Sequence, residues 1–106
     1  MDSGEIMDEN VKLFSEACDF KCNDQNYACY INKRQVSGKI CRILLLISSK
    51  PIGHIHSYED IIKKVWPNSV VSSNSLLLLV HNTRKTLPKG FTLYNVRGRG
   101  YFLSVN

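Results

Sequence analysis

From Ser37 onward the apolar residues recur at helical spacing. Ile40, Ile43, Leu44 and Ile47 fall at i, i+3, i+4 and i+7, one apolar face, and Ser37 stands where an N-cap is needed. This predicts a helix over about 38–49, stopped by Pro51 and Gly53 in "SSKPIG". A second helix is predicted over about 58–66. It opens on "SYED" (57–60), a capping box in which the Ser57 hydroxyl takes an orphan N–H and Asp60 reaches back. Ile61, Ile62, Val65 and Trp66 form its stripe, and Pro67 ends it. A third is predicted over about 73–87, within "SSNSLLLLVHNTRKTL". Leu76, Val80, Thr83 and Leu87 share a narrow arc, while Asn74, Leu78, His81 and Lys85 lie opposite, flanked by Ser75 and Asn82. Leu77 and Leu78 fall outside the core stripe.

The flanks have strand character. "KLFSEACDFKC" and "NYACYI" alternate apolar and polar residues, separated by the turn-like "NDQN" (23–26) and followed by "NKR" (32–34). A small antiparallel sheet is expected over about 11–36, behind a mobile acidic tail at 1–10. At the other end, "FTLYNV" and "YFLSV" flank "RGRG", a hairpin expected over 91–105 with a tip built by Gly98 and Gly100. The two glycines supply positive φ and let backbone approach backbone. His54 and His56 are expected as loop residues. The pattern describes one α+β domain over 11–106: sheet, three helices, hairpin.

Charge sharpens the picture. The 106 residues carry a net +5, but seven of the nine acids lie in residues 1–24. Residues 25–106 hold 12 bases and 2 acids, a net of +10. So basic a domain suits a polyanion, nucleic acid first and an anionic membrane face second. Catalysis is excluded on residue types. The only acids after residue 24 are Glu59 and Asp60, both in the capping box, and no phosphate-cradling loop or Ser-His-acid spacing exists. No catalytic residue, cofactor or small-molecule substrate is expected. Cys18, Cys22, Cys29 and Cys41 match no zinc-ligand spacing and are expected as reduced, partly buried thiols, with no metal. The longest aliphatic runs, "ILLLI" and "LLLLV", are far too short to span a bilayer, and the acidic start has no signal-peptide character. A cytoplasmic location is the expectation.

A short helix followed by a longer one with a polar, basic outer face is a helix-turn-helix pattern, and the terminal hairpin is then a wing. The third helix suits a major groove about 12 Å wide, where Asn, Ser and His side chains read base edges. Arg84 and Lys85, at its C-terminal end, suit phosphates. Arg97, and with it Arg99, suits phosphates or a minor groove. Lys63 and Lys64 fit either a solvated face or phosphate contact, and Trp66 reads as a core anchor.

These residues resemble a known family. Val65-Trp66, "TRKTL" (83–87) and "VRGRGY" (96–101) resemble the winged helix-turn-helix DNA-binding domain of OmpR/PhoB-type transcription regulators, most specifically from Ser57 onward and over roughly residues 18–106. The resemblance implies a four-stranded N-terminal sheet, three helices and a wing. It implies that Asn74, Ser75, Leu78, Leu79, Asn82 and Arg84 lie near double-stranded promoter DNA, with Arg97 as the wing arginine. It also implies that the loop Pro67, Asn68, Ser69, Val70 and Val71 meets RNA polymerase, and that copies bind DNA as head-to-tail dimers. With so few residues ahead of the expected sheet, no phosphoacceptor domain is expected before it. "WPNSVVSSNSL" is more similar to ToxR-like regulators, whose DNA-binding domain precedes a transmembrane helix. The chain is therefore expected to be either a free-standing cytoplasmic regulator or, the favoured alternative, the cytoplasmic part of an inner-membrane protein, joined to the membrane only by a segment outside this sequence. Thr83 stands where the family has Leu, and Leu78 and Leu79 replace positions often polar, so readout shifts toward phosphates and groove shape. The competing reading is a winged-helix module that binds a protein partner through Leu77 and Leu78.

Overall fold

The computed structural model describes residues 21–23 and 25–105; the acidic tail and the first half of the expected N-terminal sheet lie outside them. Strands β1 (Lys21–Asn23), β2 (Ala28–Ile31) and β3 (Arg34–Val36) form an antiparallel sheet in that order. The β2–β3 connection is a two-residue turn, Asn32 and Lys33, both at positive φ (50° and 67°). Its handedness matches the twist of the strands it joins. Pairing sets Cys22 opposite Cys29 and Cys29 opposite Val36.

The three helices form close to where the apolar spacing predicts them. Helix α1 (Gly38–Ser48) begins where the Ser37 hydroxyl accepts the Ile40 N–H at 3.2 Å. Helix α2 (Tyr58–Val65) begins with the Ser57 hydroxyl accepting the Asp60 N–H at 3.0 Å, the serine half of the expected capping box. Helix α3 (Ser73–Thr86) is capped by Ser72, whose hydroxyl accepts the Ser75 N–H. Each cap is worth about 1 kcal/mol. Among the described residues no helix is long and apolar enough to cross a membrane.

The wing strands are β5 (Phe91–Val96) and β6 (Gly100–Val105). A two-residue strand, β4 (His56–Ser57), adds to β6, giving the order β4-β6-β5. His56 is therefore no loop residue. It pairs with Tyr101 and is buried, and burial, reinforced by His54, lowers its pKa to about 4. A two-residue strand shows no alternation, so nothing in the hydrophobic pattern marked it.

Ile43, Leu44, Ile47, Ile61, Val80 and Leu93 are the large side chains sealed inside, with α1 touching β2, α2 and α3. Each such side chain contributes about 1.5–3 kcal/mol through burial. Two expectations change here. Leu79 is 5% exposed and belongs to the core, so it leaves the outward face of α3. Leu87, which the helical wheel put in the inner stripe, caps the helix one residue past its end and packs against the core, half-buried. And the cysteines, expected as reduced, partly buried thiols, converge: Cys29 and Cys41 are fully buried, Cys29 is in disulfide contact with both Cys22 and Cys41, and the three sulfurs lie within 4.8 Å of one another. Their sequence spacing hid this, because the pairing of β1 with β2 and the packing of α1 on β2 create the cluster.

Candidate nucleic-acid interface

Helix α3 turns Leu76, Leu79, Val80 and Thr83 inward. Thr83 is fully buried, and its hydroxyl donates to the Leu79 carbonyl at 2.7 Å. A polar residue in a leucine position is thus satisfied within its own helix, at little cost to the core. The opposite face carries Asn74, Leu77, Leu78, His81, Arg84 and Lys85, all exposed, with Ser75 and Asn82 half-buried at its edge. Leu77 and Leu78 are 57% and 60% exposed, as their place outside the stripe predicted. A shallow recess of about 210 Å³ runs along this edge, lined by Ser75, Leu78 and Asn82 from α3 and by Lys39 and Trp66 across from it.

The wing meets α3 through Arg84. Its guanidinium Nε donates to the Leu93 carbonyl at 3.0 Å and its head lies 6.0 Å from the Tyr101 ring. This exposed arginine, expected near phosphate, is also a strut between the helix and β5. Tyr58 ties the wing to α2 in the same way, its hydroxyl donating to Asn95 Oδ1 at 2.6 Å while also lying 3.2 Å from the Val96 carbonyl. Its ring meets Tyr101 edge to face.

At the tip, the Arg99 N–H donates to the Val96 carbonyl at 2.9 Å and closes a tight turn. Arg97 and Arg99 are both exposed there. The two glycines divide the work expected of them jointly. Gly98 takes the positive φ, +77°, whereas Gly100 supplies the close approach, since a Cβ on it would overlap the His56 carbonyl. The 67–71 loop between α2 and α3 exposes Pro67, Asn68, Ser69 and Val70, with Val71 half-buried.

Other cations face elsewhere. Lys63 pairs with Glu59 at 2.9 Å on the surface of α2, an ion pair that lowers the carboxyl pKa and raises that of the amine. Lys64 and Arg42 both lie over the Tyr27 ring. Arg42 also donates to the Lys64 carbonyl.

Three helices with a strand-paired hairpin packed on the third match solved structures over most of their length. The fold is a winged helix. The DNA-binding domain of Bacillus subtilis CssR is 25% identical, with a TM-score of 0.60 over 79% of this chain and 98% of that one. The DNA-binding domain of E. coli CadC is 20% identical, with a TM-score of 0.63 over 85% of this chain and 90% of its own. That of the response regulator AdeR, solved in complex with an intercistronic region, is 20% identical with a TM-score of 0.63, covering 82% of this chain and 95% of that one. No protein-family model and no curated protein sequence matches the chain. Within the winged helix, sequence reasoning missed Tyr58 and the strut role of Arg84. The signal for Tyr58 was faint: an aromatic directly after a capping serine, on a helix whose apolar stripe was already complete.

Proposed function

We propose that this chain is the DNA-binding domain of a transcription regulator, reading double-stranded promoter DNA through α3 and its wing. The observation that carries this is a composite surface: an uncovered α3 face bearing Asn74, His81 and Lys85 beside a wing tip with two exposed arginines. The net +10 of residues 25–106 supplies the attraction that brings a polyanion to it. In this reading α3 lies in the major groove, where Asn74, Ser75, His81 and Asn82 address base edges and Leu78 packs on a thymine methyl. Lys85 takes phosphate, and Arg97, with Arg99 beside it, takes phosphate or enters the minor groove. Leu79 is withdrawn from the contact set by its burial, while Arg84 takes phosphate with its exposed guanidinium and braces the wing through its Nε.

The finer assignments rest on the resemblance of the motifs. They are the ToxR-like branch, a cytoplasmic place for this domain within a membrane-anchored parent protein, polymerase contact through residues 67–71 and head-to-tail pairing on DNA. A second reading is favoured by one feature, the exposed Leu77–Leu78 pair, which suits a protein partner. Binding of the chain to labelled duplexes from random and promoter pools, titrated with salt, separates the two. Salt-sensitive binding with enriched motifs is expected. No binding at low salt would remove the DNA reading and leave the protein-partner module.

A further inference from the structure

Three sulfurs meet at the seam between the N-terminal sheet and the helices. Cys22 on β1 faces Cys29 on β2 across the ladder, with their Cα atoms 4.2 Å apart. Cys41, in the first turns of α1, has its Cα 5.3 Å from that of Cys29. Cys29 Sγ is in disulfide contact with both neighbours, and the Cys22 and Cys41 sulfurs stand 3.1 Å apart. A sulfur carries a single disulfide. Cys22–Cys29 and Cys29–Cys41 are therefore alternatives, and whichever forms leaves the third cysteine as a thiol in contact with the bond.

We propose that Cys22, Cys29 and Cys41 form a thiol-oxidation site that takes peroxide-class oxidants and passes one disulfide from the sheet hairpin to the sheet–helix seam. Exposure sets the order of events. Cys29 and Cys41 are fully buried, whereas Cys22 is half-exposed and is the thiol an oxidant reaches. The Cys22 thiolate attacks a peroxide oxygen, giving a sulfenic acid and, for hydrogen peroxide, hydroxide, which takes up a proton to become water. The Cys29 thiol then displaces the hydroxyl from Cys22 sulfur, forming Cys22–Cys29 and releasing a second water. Cys41 thiolate attacks Cys29 sulfur and expels Cys22 thiolate, which moves the disulfide without further oxidation. Two thiols have lost two electrons to one peroxide, and Cys22 is again free.

The two products differ in what they join. Cys22–Cys29 links adjacent strands already paired by hydrogen bonds. Cys29–Cys41 links the β1-β2-β3 sheet to α1, two units that belong to no common ladder. That bond fixes the sheet to the helix on which α2 and α3 pack. A structural zinc site takes four ligands, and among the described residues no His, Asp or Glu joins the three cysteines. The inference stands apart from the DNA reading and survives its failure.

The test treats the full 106-residue chain with hydrogen peroxide, alkylates the remaining thiols and maps the tryptic peptides. Cleavage after Lys21, Lys33, Lys39 and Arg42 puts Cys22 and Cys29 in peptide 22–33 and Cys41 in peptide 40–42. The expected products are 22–33 lighter by two hydrogens at early times and 22–33 joined to 40–42 later, with Cys18 alkylated throughout. Cys22→Ser should slow formation of the Cys29–Cys41 link at least about tenfold, because the oxidant must then reach a buried thiol. Should that variant not fold, the order of the two products in the natural chain decides alone. Disulfides to Cys18 or between chains, no bond at Cys29, or an unchanged rate in a folded Cys22→Ser would each overturn the proposal. So would a chain that reaches native mass spectrometry with a bound metal and three protected thiols.

Discussion

Replacing Gly100 by alanine tests how the wing is fastened to the rest of the domain. The added Cβ would overlap the His56 carbonyl oxygen and lie 2.7 Å from the His56 carbonyl carbon and 2.9 Å from Ser57 Cα. All three are backbone atoms, so no side-chain rotation relieves the contact. Strand β4 must move off β6, giving up the pairing of Ser57 with Gly100 and weakening that of His56 with Tyr101. Ser57 also caps α2, so the helix start moves with the strand. Overpacking costs about 1–3 kcal/mol and each lost ladder bond about 1 kcal/mol. A loss of about 3 kcal/mol follows, which lowers Tm by about 15 °C in a domain of this size. Gly98→Ala is the control. Nothing lies within 4 Å of its Cβ position, so only the φ of +77° is penalised, about 1 kcal/mol or about 5 °C. Thermal melts followed by circular dichroism measure both. Equal melting temperatures for the two variants would refute the tight β4–β6 approach.

On the proposed docking, Arg97→Ala should weaken binding to every duplex and reduce the log–log salt slope by about one; an unchanged slope takes Arg97 out of the interface. Asn82→Ala should cost about 1–3 kcal/mol at particular base pairs. A uniform loss across random duplexes would make it a backbone contact. His56 gives a pH dependence of known sign. Its folded pKa is lowered to about 4, by burial first and then by His54, from an ordinary value of 6.5. The unfolded chain therefore binds more protons across that window, and stability falls as pH drops through 6.5, levelling near 4. The loss from pH 7 to pH 5 is about 2 kcal/mol. Urea melts at the two pH values measure it, and His56→Gln should remove the difference; a difference that persists assigns it to other groups.

The helices were legible because their determinants are local. A capping serine, an apolar stripe and a proline or glycine stop lie within one segment, and Ser37, Ser57 and the 91–105 hairpin needed nothing else. The candidate face of α3 followed from the same periodicity, except at Leu79. The resemblance had set Leu79 near DNA, and packing in the core turned it inward. What stayed hidden depends on pairs distant in sequence. Tyr58 meets Asn95, Arg84 meets the Leu93 carbonyl and Gly100 meets His56. The three cysteines converge through strand register and helix docking, which no spacing rule expresses.

These distant pairs bear on what the proposed interface can do. Tyr58 and Arg84 hold the wing to α2 and α3, so on the proposed docking the helix and the wing tip would meet DNA as one preorganised surface, with little ordering left to be done on binding. Such a surface favours the phosphate contacts of Lys85, Arg97 and Arg99, which raise affinity for any sequence. Discrimination must come from Asn74, Ser75, His81 and Asn82, with Leu78 limited to a thymine methyl. Each base contact of this kind is worth about 1–3 kcal/mol, and the leucine pair takes up positions where others could stand. On that docking, one copy is rich in general affinity and poor in selectivity. Two copies on adjacent half-sites double the set of base contacts, and linking them raises effective concentration without new chemistry. Selectivity that grows from one half-site to two more steeply than affinity for random duplex of the same length would agree with this division. Equal growth of both would mean that α3 adds phosphate contacts alone.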